Sequence, residues 1–80
     1  MERIFTNALK KALRQRIKGT ISVHVANGIL VVDIFDNAHK AWRYTLNNLS
    51  AKLSIGVSSK IVADVIVKEY RKYIINQYFR

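Results

Sequence analysis

The chain of 80 residues has no cysteine, no proline, three glycines, and five acidic residues against fourteen Lys and Arg. Without cysteine there is no disulfide to support the fold and no thiolate to act as nucleophile or metal ligand. A reducing, cytoplasmic setting is expected. With no proline and no linker-like or repeated stretch, nothing divides residues 1–80, and one compact domain is expected. No apolar run approaches the ~20 residues of a membrane span, and Glu2, Arg3, Lys10 and Lys11 stand where a signal peptide would need an apolar core. The expectation is a soluble protein without a membrane partner. A chain this short buries only about 60% of the surface its unfolded form exposes, so its stability should be modest and a dimer would add to it.

What is present is positive charge and apolar pattern in equal measure. The net charge is +9, and half of the residues are apolar. Disorder is therefore not expected. Such a charge attracts polyanions and repels cationic surfaces, more weakly as salt rises. DNA or RNA is the commonest partner of this kind. A solvated basic surface that serves only solubility is the plainer reading.

The longest pattern is the final one. Over residues 59–79, at about 100° per residue, Val62, Ala63, Ile66, Val67, Tyr70, Tyr73, Ile74 and Tyr78 share one broad face interrupted by Gln77. A stripe of that width belongs to a helix packed against a core. Ser58 or Ser59 can cap its start, and Lys68, Arg71, Lys72 and Arg80 place positive charge toward its carbonyl end. A second apolar set, Ile61, Val65, Ile75 and Phe79, lies opposite the main stripe around Lys68 and Lys72. A helix buried on one face does not need it, so these four residues form a candidate dimer seam.

Residues 2–18 read as a first helix, with Ile4, Phe5, Ala8, Leu9, Ala12, Leu13 and Ile17 recurring at three and four. Its other face is nearly all cation. Lys10, Arg14 and Lys18 form a like-charge ladder at i, i+4, with Arg3 and Lys11 beside it, and each such pair costs about 0.2–0.5 kcal/mol. Only Glu2 offsets them. Gly19 is suited to a left-handed cap at the helix end.

Residues 20–35 are split by Asn27-Gly28, a pair that favours the two-residue turn whose central residues both take positive φ. That turn sets Val25 opposite Leu30, Val23 opposite Val32 and Ile21 opposite Ile34, with Ser22–Asp33 and His24–Val31 on the other face. The turn, the register and the alternation agree. Residues 36–38 are read as a turn or cap. Beyond them Trp42, Tyr44 and Leu46 alternate with Arg43 and Thr45, which predicts a third antiparallel strand over 40–46. A helical spacing of Ala38, Trp42, Thr45, Leu49 and Leu53 competes with it. Asn47-Asn48 argues against a continuous helix, because both side chains compete for the backbone. Asn48 is then expected to cap a short helix through Ser54 that turns Leu49 and Leu53 inward and ends at Gly56. The resulting order is α-β-β-β-α-α: an α+β fold whose helices cover one face of a three-stranded antiparallel sheet.

Catalytic signatures are thin. No glycine-rich phosphate loop and no serine in a nucleophile-elbow context occurs. His24 and His39 are the only histidines, with Asp33 and Asp36 as their nearest acids in sequence. Such a His beside a turn is more often a surface hydrogen bond than an acid–base pair, and no metal site, cofactor or catalytic residue is expected. For nucleic acid, Lys10, Lys11, Arg14 and Lys18 are the expected phosphate contacts, with Arg43, Lys40, Lys52 or Lys60 joining if the fold brings them near. Trp42 and Tyr44 could stack on bases, although their shared strand face with Leu46 marks them as core.

Three resemblances accompany these readings. Residues 53–65 contain the Gly-Val-Ser turn of a helix-turn-helix, with Lys52 where a small residue is expected. The order helix, three strands, helix resembles a double-stranded RNA-binding domain without that family's loop motifs. The run Trp42-Arg43-Tyr44-Thr45-Leu46, Asn48-Leu49-Ser50, Gly56 and Ser58-Ser59, followed by Ile66, Tyr70 and Ile74, resembles small uncharacterised proteins of phages and mobile elements from Gram-positive bacteria. The last likeness covers about the C-terminal half. It implies an accessory protein and brings no catalytic residue. The expected function is nucleic-acid binding through the cationic first helix without catalysis; the alternative is an adaptor or inhibitor that docks on an acidic partner protein.

Overall fold

The computed structural model describes residues 2–36 and 41–78. The chain runs through α1 (Glu2–Arg16), β1 (Thr20–Ala26), β2 (Ile29–Phe35), β3 (Ala41–Leu46), α2 (Leu49–Ser54) and α3 (Ser59–Tyr78). This is the expected α-β-β-β-α-α order. The turn or cap read at 36–38, the first residue of the strand read as 40–46, and His39, Lys40, Phe79 and Arg80 lie wholly or partly outside the described residues.

The sheet follows chain order, β1-β2-β3, all antiparallel. Asn27 and Gly28 take φ of 53° and 75°, both positive as a twist-matched two-residue turn requires. Register then follows: Ile21 faces Ile34, Val23 faces Val32 and Val25 faces Leu30. On β3, Trp42 faces Ile34, Tyr44 faces Val32 and Leu46 faces Leu30. Strand alternation sends all nine of these to one face, where β2 supplies its fully buried centre of Leu30, Val32 and Ile34.

That face is covered by α1 and α3. Phe5, Leu9, Leu13 and Ile17 come from the first segment, and Val62, Ala63, Ile66, Val67 and Tyr70 from α3; with Ile21, the β2 residues and Leu49 they form one core. Trp42 closes its β3 side, with its ring edge-on to Tyr70 at a centroid distance of 5.4 Å and with Tyr44 at 6.2 Å and Tyr73 at 6.4 Å. Desolvation raises the Tyr44 pKa above the usual phenol value, and the Glu69 carboxylate adds to the shift.

Several local expectations need correction. The first helix ends at Arg16 rather than 18, and Ile17 only completes its last turn through an N–H bond to Leu13 O of 2.9 Å. Its apolar stripe is narrower than the spacing suggests, because Ile4 is 75% exposed and Ala8 is exposed too. Gly19 does not cap the helix. Its φ is +140°, and a Cβ there would sit 2.4 Å from the Phe35 carbonyl oxygen, so the glycine lets the chain pass close to the end of β2.

Asn48 holds the N-cap position of α2, but its side chain makes no cap bond. Its backbone is left-handed (φ 55°, ψ 51°), which redirects the chain out of β3; the free Leu49 N–H donates to Gly28 O at 3.0 Å instead. Gly56, at φ +86°, ends α2: its N–H donates to Leu53 O and that of Val57 to Lys52 O, both at 3.1 Å. That is a glycine-terminated helix end with its free carbonyls satisfied. Ser58 does cap α3, its Oγ accepting from Ile61 N–H at 3.2 Å. The last turn of α3 carries no described basic residue; Lys68, Arg71 and Lys72 sit earlier in the helix.

Candidate nucleic-acid interface

The fold turns the α1 stripe of Phe5, Leu9 and Leu13 onto the core, and this fixes where the opposite side of the helix points. Asn7, Lys11 and Arg14 are exposed on that outer side with Arg3, and Lys10 is half-buried at its margin. Lys18 is exposed just beyond the helix, so the i, i+4 ladder inside α1 is the single step from Lys10 to Arg14. Arg3 belongs with this group, although the sequence reading placed it only beside the ladder.

None of these five cations forms an ion pair among the described residues. The pairs present are Arg16 with Asp64, Arg43 with Asp33, and Lys72 with Glu69. Arg14 and Arg16 stand in the last turn of α1, where the helix dipole favours positive charge. Arg3 is in the first turn, where the dipole opposes it. Helix stability accounts for Arg14 and Arg16, but not for Arg3, Lys10 and Lys11.

Arg43 is elsewhere. It alternates with Trp42 and Tyr44 along β3 and so stands on the sheet face away from the helices, across from Asp33. Its Nε donates to Asp33 Oδ1 at 2.8 Å and one terminal nitrogen to Oδ2 at 3.3 Å. That bidentate bond, together with the carboxylate's charge, raises the guanidinium pKa further. The structure therefore separates Arg43 from the α1 cations. Lys52 is half-buried on α2, which is tied to the hairpin turn, and Lys60 is exposed at the start of α3.

Trp42 and Tyr44 are on the covered face of the sheet, packed against the core, and are not placed as a base-stacking platform. The open face carries Ser22 and His24 from β1, Val31, Asp33 and Phe35 from β2, and Arg43 and Thr45 from β3. His24 is exposed there, facing Val31, and Asp33 is already engaged by Arg43. No group of three metal-ligating side chains gathers among the described residues. Nor is any helix among them long and apolar enough to cross a membrane.

The seam residues on α3 do share one exposed line. Ile61 is 55%, Val65 41% and Ile75 55% exposed; Phe79 lies outside the described residues. A feature that periodicity did not reveal is a groove of about 290 Å³ where the end of α1 meets the later half of α3, lined by Ile17, Lys18, Tyr70, Arg71, Ile74 and Ile75 with Arg16 at its rim. In sequence, Ile17, Tyr70 and Ile74 read only as core.

Fold and surface together define a small α+β domain whose first helix carries a basic outer face with no ion pair to Arg3, Lys10, Lys11 or Arg14 among the described residues. No known protein family, curated protein or solved structure matches the chain.

Proposed function

We propose that the protein is a cytoplasmic, non-enzymatic nucleic-acid-binding module that places the outer face of α1 against the phosphate backbone of DNA or RNA. The observation that carries this reading is that Arg3, Lys10 and Lys11 share an outer face with no acidic partner among the described residues, and have no role in capping the helix. Like charges at i, i+4 cost the helix about 0.2–0.5 kcal/mol per pair, and no pairing of the kind Lys72 makes with Glu69 on α3 offsets Lys10 and Arg14 among the described residues. Phosphate contacts supply affinity without sequence reading, and no side chain on α1 is set out for base edges. An accessory protein of a phage or mobile element is the setting proposed for such a module.

The test replaces Lys10, Lys11 and Arg14 with Gln and follows binding of labelled duplex DNA, single-stranded DNA and RNA by anisotropy across a salt series. Three lost phosphate contacts should weaken binding and flatten the slope of log K against log salt by roughly 2 to 3. Unchanged affinity with unchanged helix content would end the proposal.

A second reading is favoured by one observation, the exposed line of Ile61, Val65 and Ile75. A symmetric pairing of two copies through α3 would cover these residues and present two α1 faces to one polyanion. An adaptor or inhibitor docking on an acidic protein is the alternative to nucleic-acid binding, and it draws on the same charge.

A further inference from the structure

The groove between the end of α1 and the later half of α3 has a different chemistry from the α1 face. Its lining is mainly apolar: buried Ile17 and Tyr70 line it together with half-buried Ile74 and exposed Ile75. Its rim is cationic on both banks, with Arg16 and Lys18 from the α1 end and Arg71 from α3. No carboxylate among the described residues lines it. Arg16 is held by Asp64, whereas Lys18 and Arg71 have no ion pair among the described residues.

We infer that this groove is a docking site for an acidic, amphipathic peptide segment of a partner protein, which inserts one or two apolar side chains onto the apolar lining and sets carboxylates against Lys18 and Arg71. Three properties select this occupant. A volume of about 290 Å³ lies just under the range of pockets that enclose a small-molecule ligand, yet it suits anchor side chains presented from a helix or strand. The cations on opposite banks complement a segment carrying negative charge on both sides of its apolar residues. A nucleic-acid backbone carries its sugars between charged phosphates and offers no apolar side chain to set on Ile74 and Ile75. A second copy of this chain would bring net charge of +9 against a cationic rim.

The inference is independent of the α1 reading and is tested on the intact protein. The probe is a synthetic helical peptide with a leucine stripe flanked by glutamates, titrated into isotope-labelled protein and followed by amide chemical shifts. The expected result is shifts concentrated at residues 17, 18, 71, 74 and 75. Affinity should fall at least tenfold for Lys18→Glu combined with Arg71→Glu, and for Ile75→Ser, an exposed position where the change leaves the core intact. The Lys10, Lys11 and Arg14 to Gln variant should retain the peptide affinity. A control peptide with Ser for each Leu should bind at least tenfold more weakly.

It would be overturned by no peptide binding, equal binding of the serine control, shifts confined to the outer face of α1, or the same groove shifts produced by a duplex oligonucleotide. Shifts at 17, 18, 71 and 74 that grow with protein concentration alone and that the peptide does not displace would likewise overturn it, because the occupant would then be a second copy.

Discussion

Gly19 and Gly56 both hold positive φ, but for different reasons, and one measurement separates them. At Gly19 a Cβ would meet the Phe35 carbonyl oxygen at 2.4 Å, while at Gly56 nothing lies within 4 Å. Gly56→Ala should therefore cost only the left-handed backbone preference, about 1–2 kcal/mol. Gly19→Ala adds displacement of backbone at the end of β2, and should cost on the order of 3 kcal/mol. Urea unfolding of the two variants checks this. Equal losses would mean that the close passage of 19 against 35 is not maintained in solution. The sequence shows that residue 19 is glycine and follows a helix, which is why a cap is the natural reading. The actual reason is a contact with a residue sixteen positions later, and no local pattern records it.

At the scale of elements, the two short caps make opposite predictions. Ser58 accepts a hydrogen bond from Ile61 N–H, so Ser58→Ala should cost about 1 kcal/mol in thermal or urea unfolding. Asn48 makes no side-chain cap bond and sits at φ 55°, so Asn48→Gly should be neutral or slightly stabilising. A loss at Asn48→Gly equal to that at Ser58→Ala would mean that the Asn48 amide does cap α2. The hairpin was legible because Asn27-Gly28, the alternation and the register all specify one pairing. β3 was harder, since 38–53 also carries a helical spacing, and its strand form depends on β2 offering Val32 and Ile34 opposite Tyr44 and Trp42. The basic face of α1 could be read directly from spacing. The groove could not, because it exists only where residues 16–18 meet 70–75.

For the whole molecule, charge and apolar exposure are distributed unevenly. The open sheet face holds one described cation, Arg43, neutralised by Asp33, whereas α1 and α3 carry most of the remainder. If two copies pair through α3, sedimentation of the native protein should show a concentration-dependent dimer. Ile61→Ser with Val65→Ser should render it monomeric without loss of helix content, and leave peptide docking in the groove intact. A native protein that stays monomeric at high concentration removes the pairing. The combination of +9 net charge with exposed apolar residues on α3 also places any dimer under salt control, since screening relieves the repulsion between copies.

The strand order of the sheet matches the order of the chain, and each strand joins its neighbour through a short connection. Pairing of this kind closes small loops and can form early. The cover is different: α3 is the last described element, and it lies over Ile34, Trp42 and α1, all made before it. During synthesis, at about 5–20 residues per second, the sheet and α1 are therefore made before the second of the two covers of its apolar side. Until that helix is in place only the α1 segment covers the apolar side, through Phe5, Leu9, Leu13 and Ile17, and the half of the core that Val62, Ala63, Ile66, Val67 and Tyr70 supply is still missing.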